Sequence, residues 1–282
     1  MSEQRMRFSW YRDDFEAKLG IRGGKFTRVS HLTWFLAATA ITVGFYAILS
    51  PFPQAYIAQV FTQRGPFQYM EVFFAFWALL IVMAKWTKVR SQRKALEFKD
   101  LVPADLDFVL SPATVGQVTA RLRQECDDPS RFILFARIEQ ALSNLKNMGQ
   151  VGDLSNVLQS QASNDEDVME SSYSMIRGLI WAIPVMGFIG TVRGLGMAIG
   201  SFGGVLTDAS DISQLRPALQ GVTAGLSTKF DTTYVALVAT LVIQLLLVMV
   251  RKGEEEMMDE CKSYCQRNLV ARVKLTPFDR MG

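Results

Sequence analysis

The sequence predicts an all-α, polytopic membrane protein with four transmembrane helices, the third and fourth carrying long cytoplasmic extensions. Three observations carry the prediction. Of the 282 residues 49% are hydrophobic, with mean hydropathy +0.15, and they gather into four apolar runs: Leu32–Leu49, Phe67–Ala84, Gly178–Phe202 and, after a more polar opening, Phe230–Val250. Each run is about as long as a helix must be to cross the ~30 Å hydrocarbon core of a bilayer. Lys and Arg are divided unevenly between the connections. The polar stretches show helical spacing and no convincing alternation of strand type.

The uneven charge sets the orientation, because positive residues beside membrane ends stay cytoplasmic. Residues 1–30 carry seven basic residues and 85–99 carry six, Arg251 and Lys252 follow the fourth run at once, whereas the connection 50–66 has only Arg64 and 203–217 only Arg216. Both termini are therefore expected in the cytoplasm, with the two short connections outside. The chain divides into a cytoplasmic N-terminal segment (1–30), a transmembrane hairpin (31–84), a cytoplasmic helical domain (85–177), a pore-forming transmembrane hairpin (178–250) and a cytoplasmic C-terminal helix (251–282). Once this sidedness is removed, the net charge of +3 leaves no nucleic-acid footprint. The first apolar run follows some thirty polar residues and lacks the short basic lead of a signal peptide, so it is expected to be retained.

Taken in order, residues 1–30 read as one helix, with Trp10, Tyr11, Phe15 and Leu19 at near-helical spacing before Gly20 and Gly23-Gly24. Such a helix either lies on the inner leaflet or packs on the cytoplasmic domain. Ser50-Pro51-Phe52-Pro53 ends the first span and Gly65-Pro66 precedes the second. Glu71, near the outer end of the second span, is expected to snorkel to water, with ion binding as the alternative. Within 85–177 a helix is expected over Arg131–Lys146, capped by Asp128 or Ser130, with a core stripe of Phe132, Phe135, Ile138, Leu142 and Leu145. No Pro or Gly occurs from Asp153 to Arg177, so the third span is expected to begin deep in the cytoplasm as one rod, with Asp165-Glu166-Asp167 on a solvated face. Beyond Val250 a charged helix continues the fourth span until Pro277.

Polar residues inside the spans are costly and so informative. The third span holds Thr191 and Arg193; the fourth holds Asp231, Thr232, Thr233, Thr240 and Gln244. At about 1.5 Å per residue, Thr191 lies roughly 20 Å above Arg177 and Thr233 about 27 Å above Arg251, so the two hydroxyls reach similar depths. Thr233 and Thr240, seven apart, share one helix face. The alternative for each threonine is a bond to its own i−4 carbonyl and nothing more. Pro184 leaves the carbonyl of Ile180 without a donor, for an ion, a water or merely a packing kink. Arg193 needs an acid, pore water or headgroups, and a pairing with Asp231 between helices or subunits is expected.

Other chemistry is missing from the sequence. The single histidine is His31, and no Asp, Glu or His stands near the bilayer centre, so any membrane carboxylate for a proton relay comes from elsewhere. Cys126, Cys261 and Cys265 read as inert reduced thiols on the cytoplasmic side; the i,i+4 pair Cys261 and Cys265 lacks a third metal ligand. No nucleophile–base pair or phosphate-cradling loop is present, and neither an enzyme nor a cofactor or metal site is expected.

The strings Pro184-Val185-Met186-Gly187-Phe188-Ile189-Gly190-Thr191-Val192 and Thr233-Tyr234-Val235-Ala236-Leu237, with the long cytoplasmic helix ends, resemble the MotA/TolQ/ExbB proton channel family. Four spans with the N-terminus inside are similar to its flagellar branch. The resemblance covers about residues 130–270 well and the rest in topology only. It implies a homopentameric ring subunit of a proton-driven stator or energiser in the bacterial inner membrane, around two copies of a single-span partner of MotB, ExbD or TolR type. That partner carries a membrane aspartate and an outer, periplasmic domain. Thr191 and Thr233 then match the family's pore-lining threonines, with Thr232 and Thr240 as further candidates on the ion path and Arg193 and Asp231 as its electrostatic setting. Arg193 departs from the bulky apolar residue often found after Gly-Thr-Val. The expected ion is H+, with Na+ the alternative. The string Lys229–Leu237 is also similar to the channel subunit of Zorya anti-phage systems, without that subunit's long tail. A non-conducting membrane scaffold of the same fold is the rival reading.

Overall fold

The computed structural model describes residues 8–18, 20, 23–62, 65–98, 101–102, 110–111, 114–145, 151–208 and 212–273. Among them the chain is helical, with only the isolated bridges Phe8–Cys126 and Leu110–Val273 of β type. Four of its helices are long and apolar enough to cross a membrane, which makes it a multi-pass membrane protein. The ends of several expected elements, Leu19, Lys99, Lys146, Gly149 and Pro277 among them, lie outside the described residues.

The chain forms two compact units. One, polar, comprises residues 1–30, 83–173 and 249–282; the other, apolar, comprises 31–82 and 174–248. The apolar unit contains α3 (His31–Leu49), the short α4 (Tyr56–Thr62), the first part of α5 (Pro66–Leu96), α9 (Ser174–Asp208) and the first part of α10 (Ile212–Asn268). Its α3 and α5 meet through edge-to-face aromatic pairs, Phe35 on Trp77 at 5.1 Å and Phe45 on Phe76 at 5.5 Å between ring centres. The connection expected over 203–217 is instead helical over 203–208 and 212–217; residues 209–211 lie outside the described residues. Apolarity stops at Phe202, but helicity does not: once a helix is nucleated, each further residue adds a backbone bond at little cost.

The polar unit corrects the expectation for its N-terminal segment. The described residues of 1–30 do not form one helix but two single turns, α1 (Trp10–Asp13) and α2 (Phe15–Lys18). The segment packs on its own unit: Ser9 Oγ and the Trp10 amide both donate to the Asp127 carboxylate, at 2.7 and 2.9 Å. Phe8 stands edge-on to Phe98 and Phe135, and Trp10 to Phe132. Burying two large aromatics outweighs the propensity of a short polar stretch to stay helical. The expected third rod is present as α8 (Val151–Ser172) and α9, continuous from Asp153 to Gly200 apart from a single turn at Tyr173, whose amide turns back to the Glu170 carbonyl at 3.2 Å. Between α6 (Val115–Glu125) and α7 (Ile133–Asn144), Asp128 caps a 3-10 turn, accepting from the Ser130 amide at 3.2 Å.

Asp165 does not belong to a solvated face. It is buried on α8 and accepts from Arg137 Nε of α7 at 2.8 Å, whereas Glu166 and Asp167 are exposed. A helix turns about 100° per residue, so three adjacent acids cannot all share one environment. All three cysteines are buried in this unit. Burial pushes the Cys126 thiol up to about 12, which keeps it out of the reactive thiolate form at neutral pH.

Two buried ion clusters join the unit's segments. Lys88 Nζ lies 3.0 Å from Asp14 Oδ2 and 2.8 Å from Glu16 Oε2. Gly23 sits against this cluster, and a Cβ there would come within 2.7 Å of Glu16 Oε2, so a larger residue requires that carboxylate to shift. In the second cluster Glu254 of α10, 0% exposed, accepts from the hydroxyls of Thr27 and Tyr173 and pairs with Lys85 Nζ at 3.4 Å. The Lys85 ammonium also stands 4.0 Å from the Tyr173 ring centre. The residue at the turn between α8 and α9 is thus the one whose hydroxyl serves this cluster.

Candidate functional site: a hydroxyl pair between α9 and α10

Close approach of two helices in an apolar setting needs small residues at the contact. At Gly187 of α9 an added Cβ would stand 2.8 Å from Ala236 Cβ and 3.2 Å from Thr233 Cα of α10. With the backbones this near, Thr191 Oγ1 and Thr233 Oγ1 come to 2.6 Å of each other. Both also reach one acceptor, the Gly187 carbonyl, Thr191 at 3.1 Å and Thr233 at 3.0 Å. Thr191 makes the i−4 back-bond weighed from the sequence, and meets Thr233 as well. The carbonyl engaged is that of Gly187, not the Ile180 carbonyl that Pro184 leaves without a donor; Pro184 lies inside an α9 that stays helical through it.

Two hydroxyls carry two hydrogens for three short oxygen contacts. Both hydrogens can thus be satisfied within the cluster, which leaves lone pairs of its oxygens to a third group. Thr191 is buried and Thr233 half-buried, so the side open to an approaching group is that of Thr233.

The other candidates stand apart. Thr232 is 2% exposed with Oγ1 unpartnered, and its methyl is directed at Gly190 of α9, where an added Cβ would lie 3.8 Å from it. Thr240 is half-buried with its hydroxyl unpartnered. Arg193 does not pair with Asp231 within the chain: it is exposed, and its guanidinium stands 5.8 Å from the Phe67 ring centre of α5. From 191 to 193 the helix turns about 200°, which carries Arg193 away from the face that meets α10. Glu71 does not snorkel. It is 1% exposed, and neither carboxylate oxygen has a hydrogen-bond partner. Its proximity to the outer end of a span suggests water in reach, but α5 turns this face inward, a matter of helix rotation that a nearly all-apolar span does not reveal.

Fold and site define a multi-pass helical membrane protein in which the third and fourth spans meet through a shared carbonyl and a pair of hydroxyls. Residues 126–262, which contain the whole site, match the model of the MotA/TolQ/ExbB proton channel family. No curated protein and no solved structure matches the chain.

Proposed function

We propose that the protein is the ring-forming subunit of a proton-driven motor or energy-transducing complex in the bacterial inner membrane. Five copies surround two single-span partner helices, each with a membrane aspartate and an outer domain. The observation that carries this reading is the Thr191–Thr233 pair sharing the Gly187 carbonyl inside the family-matched segment. A pair that presents lone pairs accepts from a protonated carboxylic acid, whereas an ionised carboxylate, an acceptor only, finds no donor there unless a hydroxyl turns out of the cluster. The pair thus distinguishes the two protonation states of the partner's aspartate. The faces of α9 and α10 left exposed by the single chain include Trp181, Phe188, Tyr234 and Leu237, apolar area that neighbouring copies and lipid would cover.

Thr191→Val and Thr233→Val keep the side-chain shape and remove the hydroxyl. Each is expected to abolish ion-coupled activity, while native mass spectrometry still shows five copies. Retained activity in both variants sinks the pore assignment.

The ion is read as H+. Sodium needs several oxygens around it, and Thr232 Oγ1, the closest further hydroxyl in sequence, is not in the cluster. Adjacent residues 232 and 233 are about 100° apart on a helix, which keeps both from facing one ion. Coupled activity at fixed pH is expected to be independent of external sodium; activity that vanishes without it reverses the assignment.

A further inference from the structure

Glu71 has no place in the pore reading, yet it is an acidic side chain enclosed in the membrane unit. It is 1% exposed, with both carboxylate oxygens unpartnered. One turn earlier on the same face of α5, Gln68 is 0% exposed, and its amide oxygen and nitrogen are both unpartnered. From α3, the buried Tyr46 hydroxyl is unpartnered too. The Tyr46 and Tyr69 rings lie 4.5 Å apart. This is an enclosed polar cluster at the Pro66 end of α5, and it does not include the threonine pair.

An ionised carboxylate there would stand in a low-dielectric setting with no cation to balance it, a state that groups avoid by neutralising. Among the described side chains, α9 brings the Arg193 guanidinium over the Phe67 ring at this end of α5, and Asp231 of α10 is half-buried. No ion pair joins Arg193 to Glu71 among the described residues. A neutral carboxylic acid, by contrast, has one donor and a free carbonyl oxygen, the complement of the Gln68 amide one turn away and of the Tyr46 hydroxyl. We propose that Glu71 is a proton-binding site of the apolar unit, separate from the threonine pair, where the carboxyl is held protonated beside Gln68 and Tyr46. The proposal does not depend on which process the pore drives.

Infrared difference spectra of the full-length protein in lipid vesicles, recorded between neutral and alkaline pH, test this. The expected result is a protonated-carboxyl carbonyl band at neutral pH that shifts in D2O, disappears in Glu71→Gln and moves in frequency in Glu71→Asp. Glu71→Gln mimics the neutral acid and is expected to keep the wild-type thermal midpoint, whereas Glu71→Lys loses it. If Glu71→Gln does not fold, the Glu71→Asp frequency shift still decides. Three results overturn the proposal: no such band in the wild-type protein, a band unchanged in Glu71→Asp, or one that appears only after sodium and divalent cations are withdrawn. The last would mean a carboxylate bound to a metal ion.

Discussion

Replacing Glu254 by alanine is expected to destabilise the polar unit by about 3–5 kcal/mol, the usual cost of removing one partner from a buried ion pair. Glu254 has the Lys85 ammonium and the Thr27 and Tyr173 hydroxyls on its two oxygens, all inside the unit. Its loss leaves the Lys85 ammonium enclosed with no counter-charge, and leaves both hydroxyls without their acceptor. The comparison variant is Glu256→Ala, two residues on, whose carboxylate pairs with Arg93 at 2.9 Å but in an exposed position. Exposed pairs contribute about 0–1 kcal/mol, so this variant is expected to unfold close to wild type. Thermal unfolding of both variants in one lipid or detergent checks the contrast. Equal midpoints for the two would show that the buried cluster is not what joins the N-terminal segment, α5, Tyr173 and α10.

Gly187→Ala is expected to cost coupled activity almost as severely as loss of a pore hydroxyl, through a single added methyl group. That methyl would begin 2.8 Å from Ala236 Cβ and 3.2 Å from Thr233 Cα, and the second contact is backbone that cannot rotate away. The helices must separate, at an overpacking cost of about 1–3 kcal/mol, and the 2.6 Å contact between Thr191 and Thr233 opens with them. Removing the facing methyl in the double variant Gly187→Ala, Ala236→Gly relieves the nearer of the two contacts, so partial recovery is expected. Measured activity in the single and double variants checks this. A fully active Gly187→Ala would mean that the spacing of α9 and α10 does not set the hydroxyl geometry.

Much of the architecture is legible in the residues, because a bilayer imposes a strong one-dimensional signal. Apolar runs of spanning length and helical spacing between them depend on local composition alone. The family strings around Thr191 and Thr233 are equally local. Helix arithmetic along each span also places the two hydroxyls at similar depth, since rise per residue is the same in any helix.

What composition leaves open is which face each helix turns inward and what it meets there. Nothing in the run from Phe67 to Ala84 tells Glu71 apart from a snorkelling acid; its enclosure depends on the rotation of α5 against its neighbours. Lys85 reads as a membrane-end anchor by its position, yet it is buried against Glu254, 169 residues away. Asp165 reads as one of three solvated acids, yet it faces Arg137 of another helix. The Gly187 carbonyl has no side chain to signal its role, and Tyr173 makes a single turn in a stretch free of Pro and Gly. The four spanning helices and their apolar lengths are therefore legible in the residues, because those follow from interactions within about four residues and from the solvent each residue prefers. Only the tertiary structure decided the pairing of Thr191 with Thr233, the enclosure of Glu71 and the partners of Lys85 and Asp165. Those depend on contacts between residues far apart in the chain, fixed by how closely a glycine lets two backbones approach and how each helix is turned about its axis.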